Sequence, residues 1–292
     1  MSKTTSLTML CKKLLVVTLC IICLTADSRA LKIGAFNIQI LGITKMSKPD
    51  VVQVLADICV MYDVILIQEI RDSSGKAIQQ LMDEVNRISN KGFAMVISER
   101  LGRSSSKEQY AFLYRRSSVD VVGSFVYDDG YPDDGTDTFE REPFVVRFYS
   151  PTTVIKDFAV VAIHTKPGTS VTDLEIDALT DVYDDIVDRW NLKDVLIAGD
   201  FNADCSYVVT RNWPDIRLRT QSRFTWLIDD DIDTTVTSSD CAYDRLVVAG
   251  TALTNAVQPR SARVFPFDCF FGLDNKQALD VSDHYPVEMV LN

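Results

Sequence analysis

The chain has no P-loop, no GxSxG elbow, no HExxH pair and no GxGxxG turn. P-loop nucleotide hydrolysis, serine esterase chemistry and zinc peptidase chemistry lose their main sequence support with them. No internal repeat, low-complexity stretch or Pro/Gly/Ser-rich linker divides the 292 residues, so one domain is the simpler reading of 31–292. No Asn-x-Ser/Thr sequon occurs, and N-glycosylation is not expected. Cysteine is sparse. Cys11, Cys20 and Cys23 fall among the first thirty residues, leaving Cys59, Cys205, Cys241 and Cys269, without CxxC spacing. That is too few for a disulfide scaffold, though an oxidising compartment would allow one or two bridges. Cys205 and Cys241, both flanking loop segments, are the better pair. Cys59, inside the helical-looking segment 51–60, reads as a buried thiol, and Cys269 stays undecided.

Long apolar runs are also missing. The apolar or weakly polar run near the start, 14–25, is twelve residues, too short for the ~30 Å of a bilayer core. Preceded by Lys3, Lys12 and Lys13 and followed by Ser28-Arg29-Ala30, it reads as the core of a signal peptide over 1–30. Cleavage after Ala26 is an alternative. The protein is therefore expected to be secreted through the endoplasmic reticulum, with no membrane anchor. Positive charge is in deficit as well. Net charge is −11 over the whole chain, and without the leader 26 basic side chains face 40 acidic ones, or −14. Proteins that grip nucleic acid by neutralising its charge are usually basic. Contact with such a partner would have to rest on local basic residues and divalent cations, and be brief and salt-sensitive.

What is present is a set of Val-, Ile- and Phe-rich runs that predict strands at 31–38, 64–68, 111–114, 144–148, 158–163, 195–198, 245–248 and 287–291. Helical spacing recurs at Ala77, Ile78, Leu81, Met82 and Val85, and at Leu174, Ala178, Val182 and Ile186. The mixture predicts an α/β core of two sheets packed face to face with helices outside.

Strand after strand ends on a chemically useful residue: Asn37, Gln68-Glu69, His164, Asp200 with Asn202, and Asp283-His284. One such residue is ordinarily a turn former; five suggest a shared site at one sheet edge. His164 and His284 are the only histidines. A histidine after an apolar strand is equally a hydrogen-bonded core residue, and the residues alone leave both readings open. As catalysts they need carboxylates to fix their tautomers, for which Glu108 and Asp244 are candidates that sequence cannot pair. Asn37, Glu69, Asp200, Asn202 and Asp283 offer hard oxygen ligands suited to Mg²⁺, Mn²⁺ or Ca²⁺ rather than zinc.

These segments carry a resemblance. Leu31-Lys32-Ile33-Gly34-Ala35-Phe36-Asn37-Ile38-Gln39, Gln68-Glu69-Ile70-Arg71-Asp72, Lys107-Glu108-Gln109-Tyr110, Gly199-Asp200-Phe201-Asn202-Ala203-Asp204-Cys205, Tyr243-Asp244-Arg245 and Ser282-Asp283-His284-Tyr285-Pro286 resemble, in order, the deoxyribonuclease I family of the endonuclease/exonuclease/phosphatase superfamily. The likeness spans 31–292. It implies a four-layer α/β sandwich, two mixed sheets face to face, and a monomeric endonuclease that cuts double-stranded DNA with little sequence specificity to 5′-phosphorylated ends, using Mg²⁺ with Ca²⁺ support. His164 with Glu108 would protonate the leaving 3′ oxygen and His284 with Asp244 would activate water. Glu69 would hold the cation, Asn37, Asp200, Asn202 and Asp283 would contact metal or phosphate, and Arg71 and Arg141 would touch DNA.

The resemblance also implies structural calcium at Asp129, Asp137, Phe139 and Glu142 and at Asp233, Thr235, Thr237 and Ser239, and a Cys205–Cys241 disulfide. There are departures. Tyr131 and Asp134 stand where the best-known members have a small disulfide, and Ser106 replaces a tyrosine that stacks near the minor groove. Phe144 replaces the small residue through which deoxyribonuclease I proper docks on actin, so actin binding is not expected. Phe144, the 109–114 segment and Arg217-Leu218-Arg219-Thr220 look closer to a gamma-like branch, although that branch's basic tail is lacking. A superfamily phosphodiesterase acting on another substrate, and a catalytically dead secreted binding protein, are the alternatives.

Overall fold

The computed structural model describes residues 30–130 and 136–292. The expected leader, and Tyr131 and Asp134, lie outside the described residues. In chain order the elements are β1 (Leu31–Leu41), α1 (Ile43–Met46), α2 (Pro49–Cys59), β2 (Val64–Ile70), α3 (Lys76–Ile88), β3 (Phe93–Ile97), β4 (Gln109–Arg115), β5 (Asp120–Val126), β6 (Phe144–Tyr149) and β7 (Asp157–His164). There follow α4 (Thr172–Trp190), β8 (Val195–Asp200), α5 (Arg217–Thr220), β9 (Phe224–Trp226), β10 (Asp244–Ala249), α6 (Thr251–Ala256), β11 (Arg263–Val264), α7 (Phe267–Phe271), α8 (Asn275–Val281) and β12 (Val287–Leu291).

They build two six-stranded mixed sheets, ordered β11-β12-β1-β2-β4-β3 and β5-β6-β7-β8-β10-β9. In each, the central pair is parallel, β1 with β2 and β7 with β8, and the flanking strands are antiparallel. Burial on both faces explains the continuous apolar runs. Along β1, Leu31, Ile33 and Ala35 enter the core between the sheets, while Phe36 and Ile38 pack under α2 and α3. Along β8, Leu196 and Ala198 face the same middle core and Val195 and Ile197 pack under α4. The order helices, sheet, sheet, helices is the expected four-layer sandwich.

All eight predicted strands form, most of them a residue or more longer. Four strands went unseen because β3 and β5 are sheet edges and β9 and β11 run three and two residues. On α4 the predicted stripe is rotated. Leu174 is 61% exposed, and the buried face is Ile176, Leu179, Val182, Tyr183 and Ile186. Cys59 is a buried free thiol and Cys269 an exposed one, while Cys205 and Cys241 are bridged with Cα atoms 5.9 Å apart. Phe144 needs a correction. Its ring is 3% exposed, in phase with Val146 and Phe148 and packed on Phe112 between the sheets, so it offers nothing to a partner. The expectation about actin loses the residue on which it rested.

Candidate active site

Both central parallel pairs end at one edge of the sandwich, and the polar strand ends meet there. In the second sheet, one row across three strands carries the chemistry: His164 on β7 is in register with Asp200 on β8, which is in register with Asp244 on β10. In the first sheet, register breaks beyond Asn37 on β1 and beyond Ile67 on β2. Gln39, Ile40 and Glu69 there hold left-handed backbones, φ 43°, 56° and 57°. Irregularities of this kind re-aim side chains and store strain. Here they turn Glu69 so that Oε1 accepts from Asn37 Nδ2 at 3.2 Å and Oε2 from the Ile40 N–H at 2.9 Å. Asn37 Nδ2 also donates to Asp200 Oδ2 at 3.0 Å, joining the sheets.

Gln68 completes that joint. Its Nε2 donates to the Ile163 carbonyl at 2.7 Å and its Oε1 accepts the Asp200 N–H at 3.1 Å. Gly199 makes the approach possible. At φ +134° a side chain there would be strained, and its Cβ would collide with the Ile163 carbonyl and come within 2.8 Å of Gln68 Nε2. Neither role was read from the sequence, because both are contacts between sheets.

His164 Nδ1 lies 2.9 Å from Glu108 Oε2, and its backbone N–H donates to Tyr110 Oη at 2.9 Å. Burial pushes the Tyr110 hydroxyl above the usual range, so it stays a neutral acceptor. Arg141 is buried, its Nε and Nη2 donating to the carbonyls of His164 and Thr165 at 3.0 Å each, with Nη1 3.6 Å from Glu108 Oε1. Arg71, a third exposed, brings Nε to 3.9 Å from the same oxygen and contacts Ser106 Oγ. Burial opposes the Glu108 charge, but His164, Arg141 and Arg71 together hold the carboxyl below its ordinary range.

His284 Nδ1 lies 2.7 Å from Asp244 Oδ2. Burial disfavours its imidazolium, yet Asp244, Asp200 and Asp283 outweigh burial and raise its pKa to about 10. Asp200 stands between the rings, Oδ2 3.5 Å from His164 Nε2 and 3.6 Å from His284 Nε2. Burial works against its charge too, but the two histidines hold it below the usual carboxylate range. Asn202, at φ 47°, donates its backbone N–H to Asp200 Oδ1 at 2.9 Å and its Nδ2 to the Thr165 carbonyl at 3.1 Å. Asp283 Oδ2 accepts from Gln39 Nε2 at 2.8 Å, and its other oxygen is buried without a hydrogen bond. Lys45, also not foreseen, donates to the Ile38 and Val281 carbonyls at 2.7 Å each, and burial lowers it to about 8.

Oxygens of Asp200 and Asp244 and a His284 ring nitrogen lie within 4.8 Å of one another, as a metal would need. Asp244 Oδ2 is already taken by His284 Nδ1, however. Asp244 Oδ1 and Asp283 Oδ1, both buried without a hydrogen bond, are the oxygens still free to meet a hard cation. Asp204, Cys205 and Cys241 lie equally close, but their sulfurs form the disulfide.

Of the two expected calcium sets, the second abuts this centre, its Thr235 bridged in antiparallel fashion to His284. Asp129 Oδ2 accepts the N–H groups of Thr138 and Phe139 at 2.6 and 2.8 Å, and Asp137 is paired with Arg103. Burial, with Asp129 and Asp137 nearby, raises Glu142. In the other set, Asp233 Oδ1 accepts the Thr235 N–H at 2.9 Å, Thr235 Oγ1 lies 2.7 Å from the Ser239 carbonyl, and the Ser239 N–H donates to Thr237 Oγ1 at 3.2 Å. This loop clasps the His284 segment: Val236 N–H donates to the Asp283 carbonyl and Tyr285 N–H to the Thr234 carbonyl, each at 2.8 Å.

The pattern of the Endonuclease/Exonuclease/phosphatase family matches residues 34–284. The chain is similar to Deoxyribonuclease-1 of Bos taurus, 50% identical over 262 residues that cover 90% of this chain and 92% of the relative. Its identity to Deoxyribonuclease-1 of Homo sapiens is 48%, covering 96% and 98%. Its fold is similar to that of the human Nocturnin catalytic domain, at TM-score 0.59 and 14% identity over 90% of this chain and 94% of that one. The chain belongs to the deoxyribonuclease I family of the endonuclease/exonuclease/phosphatase superfamily.

Proposed function

We propose that this chain is a secreted, divalent-metal-dependent endonuclease that hydrolyses double-stranded DNA with little sequence preference, leaving 5′-phosphorylated ends. The observation that carries the reading is the pair of imidazole Nε2 atoms facing Asp200 from two sides, each ring held from behind by its own buried carboxylate. An in-line displacement at phosphorus needs a proton acceptor on the attacking side and a donor on the leaving side. His284, oriented by Asp244, takes the proton of the attacking water. His164, oriented by Glu108, delivers one to the 3′ oxygen as its bond to phosphorus breaks. Glu69, with Asp283 and Asp200, would hold a Mg²⁺ or Mn²⁺ ion, which would supply positive charge for the phosphate and offset the carboxylates that keep His284 protonated. Asn202 presents its remaining amide N–H to a phosphate oxygen, and Asn37, whose two amide N–H groups go to Glu69 and Asp200, holds those carboxylates in place. Arg71 reaches the DNA backbone; Arg141, also expected to touch DNA, is buried with its guanidinium on the His164 and Thr165 carbonyls and stiffens the Glu108–His164 pair instead.

The acidic balance makes DNA contact brief and salt-sensitive. Among the described residues no helix is long and apolar enough to cross a membrane, and the disulfide suits an oxidising compartment. The bridge supports export; we take the enzyme to act as a monomer without a membrane anchor, its loops steadied by calcium at the two acidic sets. The test is digestion of supercoiled plasmid with Mg²⁺ and Ca²⁺ or with chelator, followed by ligation of the products. Cleavage that needs the cations and leaves ligatable 5′-phosphates is expected. Intact plasmid, or 5′-hydroxyl ends, would overturn the reading.

A further inference from the structure

Ile40 is out of place by every local rule. It holds a left-handed backbone, φ 56°, where a β-branched side chain clashes most and Gly or Asn would be at ease. Its side chain is 53% exposed, so the core does not require it. Its N–H donates to Glu69 Oε2 at 2.9 Å, which accounts for the backbone shape but not for isoleucine. The next residue, Leu41, accepts the Arg71 N–H at 3.0 Å, and Arg71 in turn contacts Ser106. An exposed apolar side chain thus stands between the N–H that holds Glu69 and the backbone bond to Arg71, the arginine assigned to the DNA backbone.

Resting on the reading of the chain as a DNA endonuclease, we propose that Ile40 is a substrate-contacting residue that packs on the apolar deoxyribose wall of a duplex groove. The strained backbone and the exposed isoleucine serve two ends at one position. The N–H fixes the Glu69 carboxylate, and the side chain seats the duplex at a set height above it. A small phosphodiester has no groove wall and gains nothing from the contact.

Ile40→Gly and Ile40→Asn keep the N–H and suit φ 56°, while Ile40→Val keeps a branched apolar side chain. The Gly and Asn variants should raise KM for duplex DNA roughly five- to tenfold, the scale of losing part of a buried aliphatic contact, with kcat within twofold. Their melting temperatures should equal or exceed that of the parent. The ratio of kcat/KM on duplex DNA to that on bis(p-nitrophenyl) phosphate should fall by the same factor, and Ile40→Val should restore it. A duplex KM within twofold of the parent in both variants overturns the contact. Equal loss on both substrates assigns Ile40 to holding Glu69 instead, and a lowered melting temperature assigns it to the fold; either contradicts the proposal. A parent enzyme that leaves duplex DNA uncut would sink the endonuclease reading first.

Discussion

The two histidine–carboxylate pairs share Asp200 but sit in opposite electrostatic surroundings. Around His164, the carboxylate Glu108 leads into β4, braced by Arg141 and Arg71, so negative charge is matched by positive charge within 4 Å. Around His284, the carboxylate Asp244 lies in the middle sheet row, fully buried, with one oxygen unpartnered and Asp200 and Asp283 close by. On that side Lys45 faces Asp283 and Glu69, and among the described residues no arginine or lysine is paired with Asp244. The first pair is balanced by the protein, and the second carries a proton until something else supplies positive charge. In the proposed reaction the metal serves the side of one histidine as the arginine serves the other.

The sharpest way to break this comparison is to remove the shared group. Asp200→Ala should lower the rate of plasmid cleavage roughly 10³-fold or more, since one oxygen faces both rings. A loss under tenfold would mean that the pairs do not meet at Asp200. Next in size is the Cys205–Cys241 bridge, which ties down the loop clasping the His284 segment and has no counterpart on the His164 side. Cys205→Ser with Cys241→Ser should cost about 2–5 kcal/mol of unfolding free energy by denaturant titration. An unchanged midpoint would show that the loop holds without it.

Arg141 tests the other side. Its two carbonyl bonds need the guanidinium fork, so Arg141→Lys should not substitute, and kcat should fall about ten- to a hundredfold. If Lys restores full activity, charge alone is at work. The smallest effect is the pH dependence of stability in chelator. Glu108 is held below its unfolded value of 4.5, so its contribution is present above that pH and lost as pH falls through the folded value. His284 is raised from 6.5 to about 10, so its contribution is complete below 6.5 and lost as pH rises toward 10. Glu108→Gln should therefore flatten the acid limb of melting temperature against pH, and His284→Ala the alkaline limb, each by about 2–4 °C. Exchanged limbs would reverse the comparison.

Much of this was legible in the sequence, unevenly. Strands buried on both faces, such as β1, β7 and β8, announce themselves as apolar runs, and edge strands such as β5 do not. Polar strand ends marked the residues of the site, but pairing them needed more. Glu108, just before β4, and His164, at the end of β7 in the other sheet, are 56 positions apart, so only the family resemblance joined them. Gln68, Gly199, Tyr110 and Lys45 work through contacts across layers, and composition around them gives no sign of it. Phe144 misled because alternation was not applied to it: it is two and four residues from Val146 and Phe148, on the same inner face.

The most direct test of the central claim is single-turnover cleavage of duplex DNA by His164→Ala and His284→Ala, with saturating Mg²⁺ and Ca²⁺. Both should lose roughly two to four orders of magnitude in the chemical step, the usual scale of general acid–base help. A loss below tenfold in either variant would contradict the account.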